Sequence, residues 1–183
     1  MGDEVSSPRD RRSAITTVEA IPAQRFHEAI RAAGVTDIVA VPDTHQRSLI
    51  AEIERTGTPN LIQTATEDEA VALAAGLVVG GRRPLIQIQH AGLYACVNHL
   101  RGIADDGRLP LVFLIGLLGR DARLAPTQHH GSMVRLAEPL LDMFGVPRFL
   151  IEAVDDLGRI AEAFELAAER AGPVALLVGE ATS

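Results

Sequence analysis

Two carboxylates, Glu67 and Glu69, stand in the stretch T-A-T-E-D-E-A-V-A-L-A-A-G, residues 64–76. Between Glu69 and Gly80 there is no charge, only Ala, Val, Leu and Gly, so the acids head a nearly all-apolar helix. An acid in the first turn is stabilised by the helix dipole, and an N-terminal acidic cap is the plain reading. The point where strand passes to helix is also the usual ligand position in open α/β sheets, and there a carboxylate can share or move a proton. Other polar residues fall at equivalent turns: Asp43, Thr44 and His45; His90 and Asn98; Arg120, Gln128, His129 and His130. Together they offer acids, bases and hydrogen-bond donors.

The elements that must position these residues can be read from the chain. Pro22 opens a helix that ends at Gly34, with His27 on it as a packing or surface residue. T-D-I-V-A-V is a short strand over 36–41, broken by Pro42. A helix follows, closed by Gly57. N-L-I-Q-T-A is a second strand and leads into the acidic motif. The apolar helix runs from about 68 to Gly80, and P-L-I-Q-I-Q is a third strand. H-A-G-L-Y-A-C-V-N-H-L then reads as a loop entering a helix that frays near 105–107. P-L-V-F-L-I-G is a fourth strand, and 116–132 is the longest irregular stretch. A helix near 133–144, a strand at 148–151, a helix capped by Asp155-Asp156 and the strand P-V-A-L-L-V complete the chain. Six short apolar strands separated by helices predict a three-layer α/β/α fold with a six-stranded, mainly parallel sheet. Residues 1–16 read as a charged arm, and 17–183 as a single domain.

Composition narrows the function. The 183 residues are 47% apolar and only 3% aromatic, which suits one aliphatic core and disfavours a base-stacking surface. A net charge of −7 with no basic stripe argues against nucleic acid and anionic membranes as partners. The lone Cys96 excludes an internal disulfide, and no residues carry zinc-ligand spacing, so no metal site is expected. The longest apolar run, 109–119, is too short to span a bilayer, and the N-terminus has no signal-peptide core, which predicts a cytoplasmic protein. Neither G-x-G-x-x-G after the first strand nor G-x-x-x-x-G-K-[ST] occurs, which disfavours an ordinary nucleotide site.

The run A-T-E-D-E-A-V-A-L-A-A-G, then P-L-I-Q-I-Q-H-A-G-L-Y-A-C-V-N, then L-P-L-V-F-L-I-G resembles the pyrimidine-binding domain of thiamine-diphosphate-dependent 2-oxo-acid decarboxylases. V-P-D-T after the first strand and the Q-H of P-T-Q-H-H-G point the same way. Within that superfamily the chain most resembles the alpha subunit of sulfopyruvate decarboxylase and the N-terminal domain of phosphonopyruvate decarboxylase, over residues 20–180. The resemblance implies that Glu67, nine residues before Gly76, is the glutamate that hydrogen-bonds the cofactor's aminopyrimidine. A proton shared there favours the imino tautomer. Glu69 is left as a first-turn acid.

The same resemblance places Gly92 and Asn98 at the cofactor and Thr44 and His45 at the substrate. His129 and His130 become candidate proton relays, against the plain reading of solvated loop histidines. Arg120 could meet a sulfonate, phosphonate or carboxylate, or be an ordinary loop arginine. His90 and Tyr94 depart from the pattern and bear on pocket size. These enzymes also need a diphosphate-binding domain, marked by G-D-G and a downstream asparagine, that holds the cofactor through Mg2+. No G-D-G occurs here. The resemblance therefore implies a separate beta subunit that supplies it, in a hetero-oligomer such as α2β2 or larger. The alternatives are a subunit of another thiamine-diphosphate enzyme, such as a carboligating synthase, and a non-catalytic binding or scaffold module of the same fold.

Overall fold

The computed structural model describes residues 20–183, so the charged arm assigned to 1–16 lies outside the described residues. Six strands form one sheet: β1 (Asp37–Ala40), β2 (Asn60–Gln63), β3 (Pro84–Gln89), β4 (Val112–Gly116), β5 (Arg148–Ile151) and β6 (Val174–Val178). Their order is β2-β1-β3-β4-β6-β5, and every pairing is parallel. The central strands β1, β3, β4 and β6 are buried almost throughout, because helices cover both faces of the sheet.

One face carries α1 (Ala23–Ala32), α2 (Arg47–Thr56) and α8 (Arg159–Arg170). Phe26, Ile30, Leu49, Ile53, Ile160 and Phe164 pack there on Ile38, Leu85 and Leu176. The opposite face carries α3 (Glu67–Val79), α4 (His90–Ala95), α5 (Val97–His99), α6 (Ser132–Arg135) and α7 (Ala137–Met143). Their Ala70, Ala74, Leu93 and Leu141, with Leu100 just after α5, pack on Val39, Ile86, Phe113 and Leu177. The chain changes face whenever it reverses direction across the sheet, as right-handed crossovers require. The first reversal separates β1 from β3, whose C-terminal ends therefore splay into a crevice suited to a ligand.

Three local expectations are corrected. The stretch after β3 is not a loop, since helix begins at His90 directly after Gln89. Leu93, Cys96, Leu100 and Ala104 recur at helical spacing and bury a stripe on the sheet, which overrides the loop signal of Gly92. The helix continues through α5 into a π-type turn at Leu100–Asp105. Near 133–144 there are two short helices rather than one, divided at Leu136. Pro139 has no N–H to give to the carbonyl of Arg135, so one continuous hydrogen-bond ladder cannot form. The last helix starts at Arg159, because Asp156 instead accepts from the backbone N–H groups of Glu152 and Ala153, both at 3.0 Å. Among the described residues no helix is long and apolar enough to cross a membrane.

Candidate functional site

The first turn of α3 puts its two glutamates to different uses. Thr66 is the N-cap and accepts from the backbone N–H of Glu69 at 3.4 Å. Glu69 folds back so that its carboxylate accepts from the N–H of Ala65 at 2.9 Å, a reciprocal cap. Asp68 is held below the ordinary carboxylate range, chiefly by its hydrogen bond with Thr66. Glu67 makes no hydrogen bond among the described residues and lies half-buried over α4. A Cβ on Gly92 would stand 2.3 Å from its Cγ and 2.5 Å from its Oε1. Gly92 is therefore the floor on which Glu67 rests, and any larger residue would displace the carboxylate. Neighbouring Cys96 is buried, and burial with the charge of Glu67 pushes its thiol up to about 12.

Across the β1–β3 crevice the organising group is Asp43. Its Oδ1 accepts from the backbone N–H of His45 and from Gln89 Nε2, both at 2.8 Å, and its Oδ2 accepts from Gln46 Nε2 at 3.0 Å. A Cβ on Gly116 would sit 2.4 Å from Oδ2, so the end of β4 must be glycine for the carboxylate to fit. One buried acid thus ties together the exits of β1, β3 and β4. His45 and His90, expected at the substrate, are buried beneath this rim. His45 Nε2–H donates to the carbonyl of Val178 and His90 Nε2–H to that of Leu118, each at 3.0 Å. Burial lowers the His45 pKa, with Asp43 opposing the shift. Thr44, between them, is exposed.

The irregular stretch after β4 is held from within. Arg120, expected to meet a substrate anion, turns inward instead: its side chain is 3% exposed and pairs with Glu152 at 2.9 Å. The same guanidinium donates to the carbonyls of Asp121 and Leu124 and to His129 Nε2, the last at 3.1 Å. His129 is buried, and its Nε2 also lies 3.2 Å from the backbone N–H of Asp121. Because the Arg120 guanidinium and the Asp121 N–H can only donate, Nε2 serves as their acceptor. His130 is exposed, and Arg135 clamps the carbonyls of both histidines at 3.2 and 2.9 Å. Asn98 is exposed on α5, where Oδ1 accepts from Arg101 at 3.1 Å.

The fold therefore brings Glu67 and Gly92 into contact, and collects Asp43, His45 and His90 at the crevice. It leaves Thr44, His130 and Asn98 at the surface and removes Arg120 from it. Gln89, Gly116 and Glu152 were not singled out in the sequence. The signal for Gly116 is a glycine closing an otherwise aliphatic strand. Among the described residues no group of three His, Cys, Asp or Glu is arranged to hold a metal ion.

No protein-family model matches this sequence. Among curated proteins it is similar to a phosphonopyruvate decarboxylase of Streptomyces viridochromogenes, 30% identical over 123 residues. That match covers 67% of this chain but only 31% of the relative. It is also similar to the sulfopyruvate decarboxylase subunit alpha of Methanococcus maripaludis, 22% identical over 157 residues, 85% of this chain and 93% of that subunit. Among solved structures, a 2-oxoglutarate:ferredoxin oxidoreductase from Magnetococcus marinus superposes with a TM-score of 0.67 at 20% identity, over 86% of this chain and 28% of that one. Benzoylformate decarboxylase from Polynucleobacter necessarius does so with a TM-score of 0.62 at 19% identity, over 87% of this chain and 30% of that one. Sequence and fold thus both carry the resemblance to the pyrimidine-binding domain of 2-oxo-acid-processing enzymes. The longer relatives extend well beyond the part that this chain matches.

Proposed function

We propose that this chain is the pyrimidine-binding half of a cytoplasmic thiamine-diphosphate-dependent decarboxylase, completed by a second chain and acting on a small anionic 2-oxo acid. The observation that carries this reading is Glu67: a carboxylate without a protein hydrogen bond among the described residues, held over Gly92 beside the β1–β3 crevice. Gly92, having no Cβ, leaves the space that the Glu67 side chain fills, and the carboxylate would face a ring nitrogen of the cofactor. Glu67 would hold and share a proton at that nitrogen. The α3 cap made by Thr66 and Glu69 would keep it aimed. When bound, the cofactor would supply the electron sink that lets the carboxylate of the substrate leave as CO2. Thr44, exposed at the exit of β1, would meet the substrate, and His130 is the exposed histidine of the candidate relay pair. His129 acts through the loop it anchors.

The diphosphate and its Mg2+ are assigned to the partner. The outer face of α3 supports this assignment. Leu73 is 37% exposed and Val79 78%, and Ala72 and Gly76 lie exposed beside them. A Cβ on Gly76 would touch nothing among the described residues, so its small size serves no packing within them. A helix apolar on the inside and outside alike is one that packs on two neighbours. Two of the curated relatives that cover most of their own length are themselves called subunit alpha. The test is Glu67→Gln in the reconstituted complex. Loss of CO2 release by about 100-fold or more is expected for a proton-handling residue. Unchanged turnover would leave the chain a non-catalytic module.

A further inference from the structure

A dianionic substrate needs a cation in its site, and the arginine expected to supply it, Arg120, is closed off by Glu152. Other guanidinium groups on this side are also engaged. Arg123 pairs with Asp121 at 2.7 Å, Arg101 pairs with Asp106 at 2.7 Å, and Arg135 donates to the His129 and His130 carbonyls. Arg47 differs. It is exposed in the first turn of α2, and among the described residues it makes no side-chain hydrogen bond and no ion pair. It shares with Thr44 a cleft of about 500 Å³ between the exits of β1 and β2. That size lies within the range of small-molecule sites.

We infer that Arg47 and Thr44 form the anion subsite of this cleft. They would take the sulfonate or phosphonate carried at the third carbon of the substrate. For the identity of the substrate, this inference rests on the decarboxylase reading. A guanidinium presents two parallel N–H donors to such an oxyanion, and the Thr44 hydroxyl adds a third. Two acids also line the cleft, and each is hydrogen-bonded elsewhere. Asp43 has both oxygens occupied by His45, Gln89 and Gln46. Glu54 lies two helical turns from Arg47, about 10 Å along the axis, and is held by Gln63 at 3.3 Å.

The test is a titration of the full chain with 3-sulfopropanoate, 3-phosphonopropanoate and propanoate, followed by NMR at the amides of Thr44 and Arg47. Both dianions should move these signals and propanoate should do so only weakly. Arg47→Gln should weaken the dianions about tenfold or more, as loss of a charge-assisted pair does. Arg47→Lys should restore part of the affinity, and Glu67→Gln should leave it unchanged. Equal affinity in wild type and Arg47→Gln would overturn the subsite, as would signals moving at Arg82 and Arg83 instead. Anion loss in Arg47→Gln together with no CO2 release from the wild-type complex would keep the subsite and sink the decarboxylase. The reverse pair of results would do the opposite.

Discussion

Glu67 and Gly92 depend on each other through contact alone, so either can be changed to test the pair. A methyl group at 92 must push the Glu67 carboxylate aside, because its Cγ is only 2.3 Å from where that methyl would stand. Gly92→Ala should therefore lower cofactor affinity and turnover in the complex nearly as much as Glu67→Gln, with the circular dichroism spectrum unchanged. Arg120 gives the opposite expectation. Removing one member of a buried ion pair leaves the other uncompensated, so Arg120→Gln should lose about 3 kcal/mol in urea unfolding. A pure loss of substrate affinity at full stability would contradict the inward placement. His45 adds a pH dependence. Burial lowers its folded-state pKa, so the unfolded chain binds the proton more readily, and stability falls as pH drops below about 6.5. Glu180, whose pKa burial raises, works in the other direction above its ordinary range. The contrast between wild type and His45→Gln isolates the histidine: the variant should lose less stability between pH 7.5 and 5.5.

At the scale of elements, α3 shows what the sequence could and could not say. Its start, its acidic first turn and its apolar length were legible because capping and composition are local properties. Which of its faces is buried was not, since Ala, Val and Leu surround it and leave no polar stripe to read. The six strands were legible for the same local reason, as β-branched and aliphatic runs bounded by Gly and Pro. The helix after β3 was expected to start later than it does because Gly92, which gives room to Glu67, resembles a loop signal. Arg120 was misplaced because its partner Glu152 is 32 residues away and only the fold brings the two together. If the outer face of α3 is a subunit contact, Val79→Glu should abolish complex formation in sedimentation while leaving the thermal midpoint of the isolated chain within a few degrees. A complex that survives this change would place the contact elsewhere.

At the scale of the molecule, the proposed site has one wall in this chain and the other in a partner. The β1–β3 crevice, the Glu67 cradle and the Thr44 cleft all lie at the C-terminal edge of the sheet, and the sequence carries no G-D-G. Relatives of this length are subunits, and the longer ones continue past the matched region. The direct measurement of this claim is CO2 release from 3-sulfopyruvate and 3-phosphonopyruvate with thiamine diphosphate and Mg2+. It should be run on the chain alone, on a partner carrying G-D-G alone, and on the two mixed. Negligible release from either alone and turnover only in the mixture is the predicted result. Full turnover by this chain without a partner would contradict it.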